Sequence, residues 1–215
     1  MLILGNPEAK IHLIQMVDDH DLSFIEQETA YIRELTGGMD FCLKAFRVED
    51  WNRDLSPWPA PAVFGKEDFK GRAAGTLTEL LQLVPEREEG SADGADRRKI
   101  FLGGYSLAGL FALWAGSQTD AFDGIAAASP SVWFPGFTDY LKANPLKTDA
   151  VYLSLGDREE RTRNPVMARV GDAIRETYDI LQAAKVPCTL EWNQGNHFKE
   201  ADLRTAKAYA WLMKR

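Results

Sequence analysis

One serine, Ser106, stands at an abrupt change from a predicted strand to a predicted helix. The surrounding sequence is IFLGGYSLAGLFALW, in which 99–103 predicts a strand and 107–117 an apolar helix. Gly104 and Ala108 lie two positions either side of the serine, where small residues let the two backbones approach closely. The strict pattern has glycine at both positions, and Ala108 differs from glycine by one methyl group. The spacing is typical of a nucleophile elbow, whereas a phosphate-binding loop would carry more glycines and usually a lysine.

A serine hydroxyl needs a base to become a nucleophile, and the chain has three histidines. His12 lies inside the first predicted strand, where a core position is the simplest interpretation, and His20 follows that strand. His197 lies between the last predicted strand and the last predicted helix, at the carboxyl edge of the sheet toward which Ser106 also points. Loop histidines are more often surface residues, but this one fits both the position and the chain order. We therefore predict that His197 is the base.

Three carboxylates follow the predicted strand 149–155 and are candidates for the acid that orients the histidine. They are Asp157, Glu159 and Glu160. The acid must accept a hydrogen bond from the second histidine nitrogen. A side chain a few residues beyond the strand can curl back to do so, whereas Asp157 can be needed to shape the turn. We predict Glu159, with Asp157 as the alternative, while a solvated turn paired with nearby arginines is the non-functional interpretation.

The elements around these residues alternate between strands and helices. Such alternation implies βαβ crossovers and a mostly parallel sheet with helices on both faces. A proline-containing loop at 51–66 is long enough to be functional, and a charged connection follows at 85–96. The predicted strands are 11–17, 40–48, 99–103, 122–128, 149–155 and 186–193, and the predicted helices are 23–35, 71–84, 107–117, 164–184 and 200–214.

Composition limits the remaining possibilities. The 215 residues are 45% hydrophobic, which suits a single globular domain over 1–215, and no apolar run approaches the ~20 residues that span a bilayer. A net charge of −7 provides no basic surface for nucleic acid or anionic membranes. The first residues contain no secretory signal pattern, so we expect a cytoplasmic protein. Cys42 and Cys188 lie in strand-like stretches and are expected to be reduced.

Four segments together resemble the α/β-hydrolase superfamily, specifically the esterase group that includes siderophore esterases, feruloyl esterases and S-formylglutathione hydrolases. The resemblance covers nearly the whole chain. It implies a three-layer sandwich in minimal form, without a cap domain. The segments are GGYSLAGLFALW at 103–114, FDGIAAASPSVWF at 122–134, YLSLGDREE at 152–160 and GNHF at 195–198.

The resemblance also implies roles for particular residues. Ser106, Glu159 and His197 correspond to the family's catalytic triad. The backbone N–H of Leu107 corresponds to one donor of the oxyanion hole, and the loop after the first strand supplies the other, from Asp18 or Asp19. That loop lacks the glycine that relatives often carry there.

The substrate pocket is expected to be walled by loops at the same edge of the sheet. Trp58 and Trp133 lie in two of these loops and are predicted to contact substrate, although Trp133 could equally pack over the core.

These observations predict a serine esterase that cleaves a small-molecule carboxylic ester through an acyl-enzyme, without a cofactor or metal and without nucleic-acid or membrane partners. The sequence does not define an oligomeric state. Because a fold does not establish a function, a non-catalytic binding protein with this fold is the alternative. Use of the same residues by an acyltransferase or peptidase is a third interpretation.

Overall fold

A seven-stranded sheet forms the centre of the molecule in a computed structural model that describes residues 1–85 and 97–215. The strands are β1 (Leu2–Gly5), β2 (Ile11–Val17), β3 (Cys42–Arg47), β4 (Pro59–Ala60), β5 (Phe69–Lys70), β6 (Lys99–Tyr105), β7 (Gly124–Ala128), β8 (Ala150–Gly156) and β9 (Cys188–Asn193). The order in the large sheet is β1-β3-β2-β6-β7-β8-β9, and every neighbouring pair in it is parallel except β1 with β3, while β4 and β5 form a separate pair. This confirms the predicted α/β fold.

Helices cover both faces of the sheet, because the central strands are apolar on both sides. The described α-helices are α1 (Asp19–Leu22), α2 (Ile25–Thr36), α3 (Trp51–Asp54), α4 (Ala73–Leu81), α5 (Leu107–Gln118), α6 (Phe137–Ala143), α7 (Val170–Ala183) and α8 (Ala201–Met213). Helices α4, α5, α6 and α7 pack on one face around Leu102, and α2 and α8 pack on the other around Phe101.

The prediction of one long helix over 164–184 was wrong at its start, because α7 begins at Val170. The Asn164 side-chain oxygen accepts hydrogen bonds from the backbone N–H groups of Val166 and Met167, which holds this segment in a turn. Val166 is exposed instead of lying on the apolar helix face. The chain then passes through a short 3₁₀ helix, Met167–Arg169.

Several short elements were not predicted, among them α1 and β5. The edge strand β1 is largely exposed and pairs antiparallel with β3, and α6 follows Gly136, whose φ of 81° is left-handed. The predicted loop at 51–66 contains α3 and β4. Most of the predicted charged connection at 85–96 lies outside the described residues. Within the described part of the chain, no helix is both long enough and apolar enough to cross a membrane.

The parallel strands bring their carboxyl ends to one edge of the sheet. Strands β6 and β7 lie side by side there, followed by β8 and β9. The segments that leave these ends carry the residues selected from the sequence. In open α/β sheets this edge is where ligands bind.

Candidate active site

Ser106 occupies a strained turn between β6 and α5. Its φ of 57° and ψ of −119° lie in a region that a non-glycine residue enters only when the surrounding structure enforces it. The backbones of β6 and α5 come close together here, and only glycine fits at position 104, because a Cβ built on Gly104 would lie 2.5 Å from the Cβ of Ala108. The small residues around the serine therefore permit the close strand-to-helix approach that the elbow pattern requires.

His197 links the serine to a carboxylate. Its Nε2 lies 3.0 Å from the Ser106 Oγ, and its Nδ1 lies 2.7 Å from Oε2 of Glu159. The Tyr105 hydroxyl donates a hydrogen bond to the carbonyl oxygen of His197, at 2.8 Å. A carboxylate at Nδ1 favours the tautomer whose Nε2 is free to accept the serine proton. In this arrangement a histidine is placed to accept the proton of the serine hydroxyl.

Glu159 is buried just after β8. The carboxylate oxygen that does not face His197, Oε1, accepts hydrogen bonds from three donors. Oε1 accepts hydrogen bonds from the N–H of Gly156 at 2.7 Å, the Ser129 hydroxyl at 2.8 Å and Nη1 of Arg204 at 3.0 Å. Hydrogen bonds of this kind fix the orientation of the carboxylate. The free oxygen, Oε2, consequently faces the histidine.

The two competing carboxylates have other partners. Asp157 accepts a hydrogen bond from the backbone N–H of Gly195 at 2.8 Å, which joins the loop after β8 to the loop that carries the histidine. Glu160 is exposed and pairs with Arg175, whose Nη1 lies 3.4 Å from Oε2. The geometry therefore favours Glu159 over Asp157 as the acid.

Arg204 is a site residue that the sequence reasoning missed. Its side chain is 1% exposed, and besides Glu159 it donates to the Tyr105 hydroxyl at 3.0 Å and the Gln194 carbonyl at 3.2 Å. Its position in the sequence could have indicated burial, because Arg204 precedes the buried Ala208 by one helical turn on α8 and so lies on the same face. A charge on an apolar helix face needs a buried partner, and Glu159 is that partner.

Two backbone positions were predicted to stabilise an oxyanion. Leu107 begins α5, so its N–H lies in the first turn, where no intrahelical acceptor is available. The N–H of Asp18 donates to Oδ2 of Asp21 at 3.3 Å, whereas Asp19 is the first residue of α1. Burial, reinforced by the neighbouring Asp18 carboxylate, raises the pKa of Asp21 to about 6. The Asp18 amide thus already has a carboxylate acceptor, and the choice between Asp18 and Asp19 as the second donor stays a prediction.

A cavity of about 270 Å³ opens beside His197. Trp133 lies on its wall and also packs against Phe69, so it contributes to both the cavity and the core. Trp58 is not among the described residues that line this cavity. It packs against Phe134 and donates from Nε1 to the Pro135 carbonyl at 3.0 Å, which is a structural role. The cavity lining also includes Arg158, Arg161, Thr162, Met167, Val170 and Asn196.

The described residues contain no group of three or more His, Cys, Asp or Glu side chains arranged to hold a metal ion. Cys42 is buried, Cys188 is partly buried, and both are free thiols. Burial raises the pKa of each thiol, which keeps both protonated at neutral pH.

Comparison with solved structures shows the α/β-hydrolase fold. The chain is similar to an IroE-like serine hydrolase from Shewanella oneidensis, with a TM-score of 0.76 and 16% identity over 99% of this chain and 74% of that one. It is also similar to the siderophore hydrolase EstB from Aspergillus nidulans, with a TM-score of 0.63 and 15% identity over 96% and 84% of the two chains.

A third similar structure is the enterobactin esterase FES from Shigella flexneri, with a TM-score of 0.55 and 19% identity over 99% of this chain and 55% of that one. The sequence matches no protein-family model and no curated protein. At these identities the similarity defines the fold, and the activity has to be argued from the site.

Proposed function

We propose that the protein is a serine hydrolase that cleaves carboxylic esters through an acyl-enzyme intermediate. The observation that carries the proposal is the continuous hydrogen-bonded series from Ser106 through His197 to Glu159. The strained backbone at Ser106 adds to it, since such strain is commonly stored at functional sites.

The chemistry follows from these distances. Nε2 of His197 removes the proton from Ser106 Oγ as that oxygen attacks the ester carbonyl carbon. The negative charge that develops on the carbonyl oxygen is stabilised by the N–H of Leu107 and by the electrostatic field of the first turn of α5. His197 then donates its proton to the departing alcohol. A water molecule, deprotonated by the same nitrogen, attacks the acyl-serine and releases the acid.

Glu159 holds His197 in the tautomer needed for both proton transfers, and Arg204 holds Glu159. We propose a small-molecule ester as the substrate, and the siderophore hydrolases among the similar structures make siderophore esters the first class to assay. Acyl transfer to an amine or alcohol uses the same first step. Product analysis with competing acceptors separates transfer from hydrolysis.

Turnover of p-nitrophenyl acetate and butyrate tests the proposal directly. Ser106→Ala is expected to lower kcat by about 10⁴-fold or more, because without the nucleophile no acyl-enzyme can form. Ser131→Ala is the matched control, because it removes a hydroxyl 3.2 Å from Ser106 Oγ, whereas the ring nitrogens of His197 bond to Ser106 and Glu159. It should stay within about tenfold of the wild type. Equal losses in the two variants, or unchanged turnover in Ser106→Ala, would contradict the proposal.

A further inference from the structure

A second pocket of about 250 Å³ lies beside the proposed active site, between the α1–α2 region and the start of α8. Tyr105, which precedes the proposed nucleophile, forms part of its wall. Phe198 follows the proposed base and lines both this pocket and the cavity beside His197. A ligand bound in the second pocket would therefore lie next to the reacting groups.

The pocket is strongly acidic. Four carboxyl side chains line it, from Asp21, Glu28, Glu200 and Asp202, and the described lining residues include no lysine or arginine. His20 is the only lining side chain in the described set that can become cationic near neutral pH. The negative charge of this pocket consequently lacks a fixed counter-charge in its wall.

Two deeply buried side chains add oxygen atoms that have no hydrogen-bond partner in the part of the chain that the structure describes. Glu28 is 5% exposed and Gln15 is 3% exposed, and both line the pocket. Nε2 of Gln15 donates to Oε2 of Glu28 at 3.2 Å. Within residues 1–85 and 97–215, the Oε1 atom of each side chain has no hydrogen-bond partner. Buried acceptors of this kind are costly unless a donor reaches them.

The electrostatics of Glu28 agree with this interpretation. Burial raises the pKa of Glu28 well above its ordinary value, and repulsion from Asp21 and Asp202 adds to the effect, while the Gln15 hydrogen bond opposes it. A cation placed among these carboxyl groups would reverse the repulsion. Both unpartnered oxygens are shielded from solvent, so N–H donors on that cation would satisfy them once the Gln15 or Glu28 side chain rotates toward the pocket.

Aromatic rings complete the pocket. Phe24 is 48% exposed and Phe198 is 88% exposed, and both line it together with the ring of Tyr105. The faces of such rings attract cations and pack against an alkyl stem. A quaternary ammonium has no N–H to donate to Gln15 and Glu28, whereas a primary ammonium has three.

We propose that this pocket binds a protonated primary amine, and that the preferred substrates are esters that carry one. The second half of this inference rests on the proposed esterase function. The first half does not, because it concerns binding alone.

Binding is tested with pentylammonium and its neutral counterpart pentanol, by calorimetry or by NMR titration of the wild-type protein. Pentylammonium is expected to bind at least about tenfold more tightly than pentanol. Glu28→Gln should weaken pentylammonium binding by about tenfold or more, because glutamine keeps the side-chain shape but cannot ionise beside the bound ammonium. Glu26→Gln is the control, since it makes the same carboxyl-to-amide change at an exposed residue of α2 that does not line the pocket.

Three outcomes would overturn the inference: equal binding of pentanol and pentylammonium, unchanged binding in Glu28→Gln, or equal weakening in Glu26→Gln. Competition by Mg²⁺ at concentrations no higher than those of the amine would overturn it as well. If Glu28→Gln does not fold, Asp202→Asn provides the same comparison at a partly exposed position of the wall.

The substrate half is tested with the p-nitrophenyl esters of ε-aminocaproate and heptanoate, which match in length. The ammonium ester is expected to have a kcat/KM about tenfold or more above that of the neutral ester, and the ratio should fall to about one in Glu28→Gln. Turnover of both esters with a ratio near one in the wild type would contradict the amine preference while leaving the esterase proposal intact. Absence of Ser106-dependent turnover of either ester would instead contradict the proposed function. The pentylammonium titration would still test whether the pocket binds a protonated amine.

Discussion

Replacement of Glu159 by glutamine is expected to abolish most activity in a protein that still folds, at lower stability because Arg204 loses its buried counter-charge. Oε1 of Glu159 accepts from Gly156, Ser129 and Arg204, so the oxygen of a glutamine amide is held at that position. The amide nitrogen must then face Nδ1 of His197, where the carboxylate Oε2 lies 2.7 Å away in the wild type. An N–H donor at that position forces Nδ1 to act as the acceptor.

The forced tautomer places the histidine proton on Nε2, the atom that must accept the Ser106 proton. In a chymotrypsin-type protease the corresponding acid-to-amide change lowers kcat by about 10⁴-fold. The same loss is expected for Glu159→Gln, equivalent to about 5 kcal/mol of transition-state stabilisation. Steady-state hydrolysis of p-nitrophenyl butyrate measures it, and circular dichroism checks that the variant is folded.

Two variants with the same change of charge serve as controls. Glu160→Gln removes only an exposed ion pair with Arg175, so kcat should stay within about threefold of the wild type. Asp157→Asn can keep an acceptor for the Gly195 N–H and should lose no more than about tenfold. A collapse confined to Asp157→Asn, or equally small losses in all three variants, would show that the tautomer argument is wrong.

Three further predictions concern the surroundings of the site. Arg204→Met leaves the carboxylate of Glu159 without its buried partner, so the free energy of unfolding in urea should fall by about 3–5 kcal/mol, and a loss below about 1 kcal/mol would contradict this. Gly104→Ala brings a Cβ to within 2.5 Å of the Ala108 Cβ, so it should destabilise the protein by about 1–3 kcal/mol, and adding Ala108→Gly should restore most of that stability. The pKa of Asp21 is raised to about 6 in the folded state, so the folded protein binds more protons than the unfolded chain between the ordinary pKa and that value. The free energy of unfolding should therefore decrease as pH rises through this range, and Asp21→Asn should remove on the order of 3 kcal/mol of that decrease, whereas an unchanged pH profile would contradict the assignment.

The parallel part of the sheet could be predicted because each strand is a short apolar run closed by turn residues. The edge strand β1 could not, since Leu2–Gly5 is only four residues long and its stability comes from pairing with β3. The start of α7 was misplaced for a local reason. The Asn164 side chain competes for the backbone N–H groups that a helix would use, and apolar spacing does not report such competition.

The proposed catalytic residues could be selected from the sequence because their positions relative to strand ends are encoded in chain order. The choice among the carboxylates depended on contacts across the fold. Arg204 lies 45 residues beyond Glu159 in the chain, and Ser129 lies 30 residues before it. Partners so distant in the chain leave no local sequence pattern. Only the position of Arg204 on a buried helix face could have indicated that it has a buried acidic partner.

Covalent labelling tests the central claim most directly. A fluorophosphonate probe reacts with a serine whose hydroxyl is deprotonated by a neighbouring base, so the intact protein is expected to gain one label, and peptide mass spectrometry should locate it on Ser106. Labelling should disappear in Ser106→Ala and become much slower in His197→Ala. A label on Ser131, or a wild-type labelling rate in His197→Ala, would contradict the account.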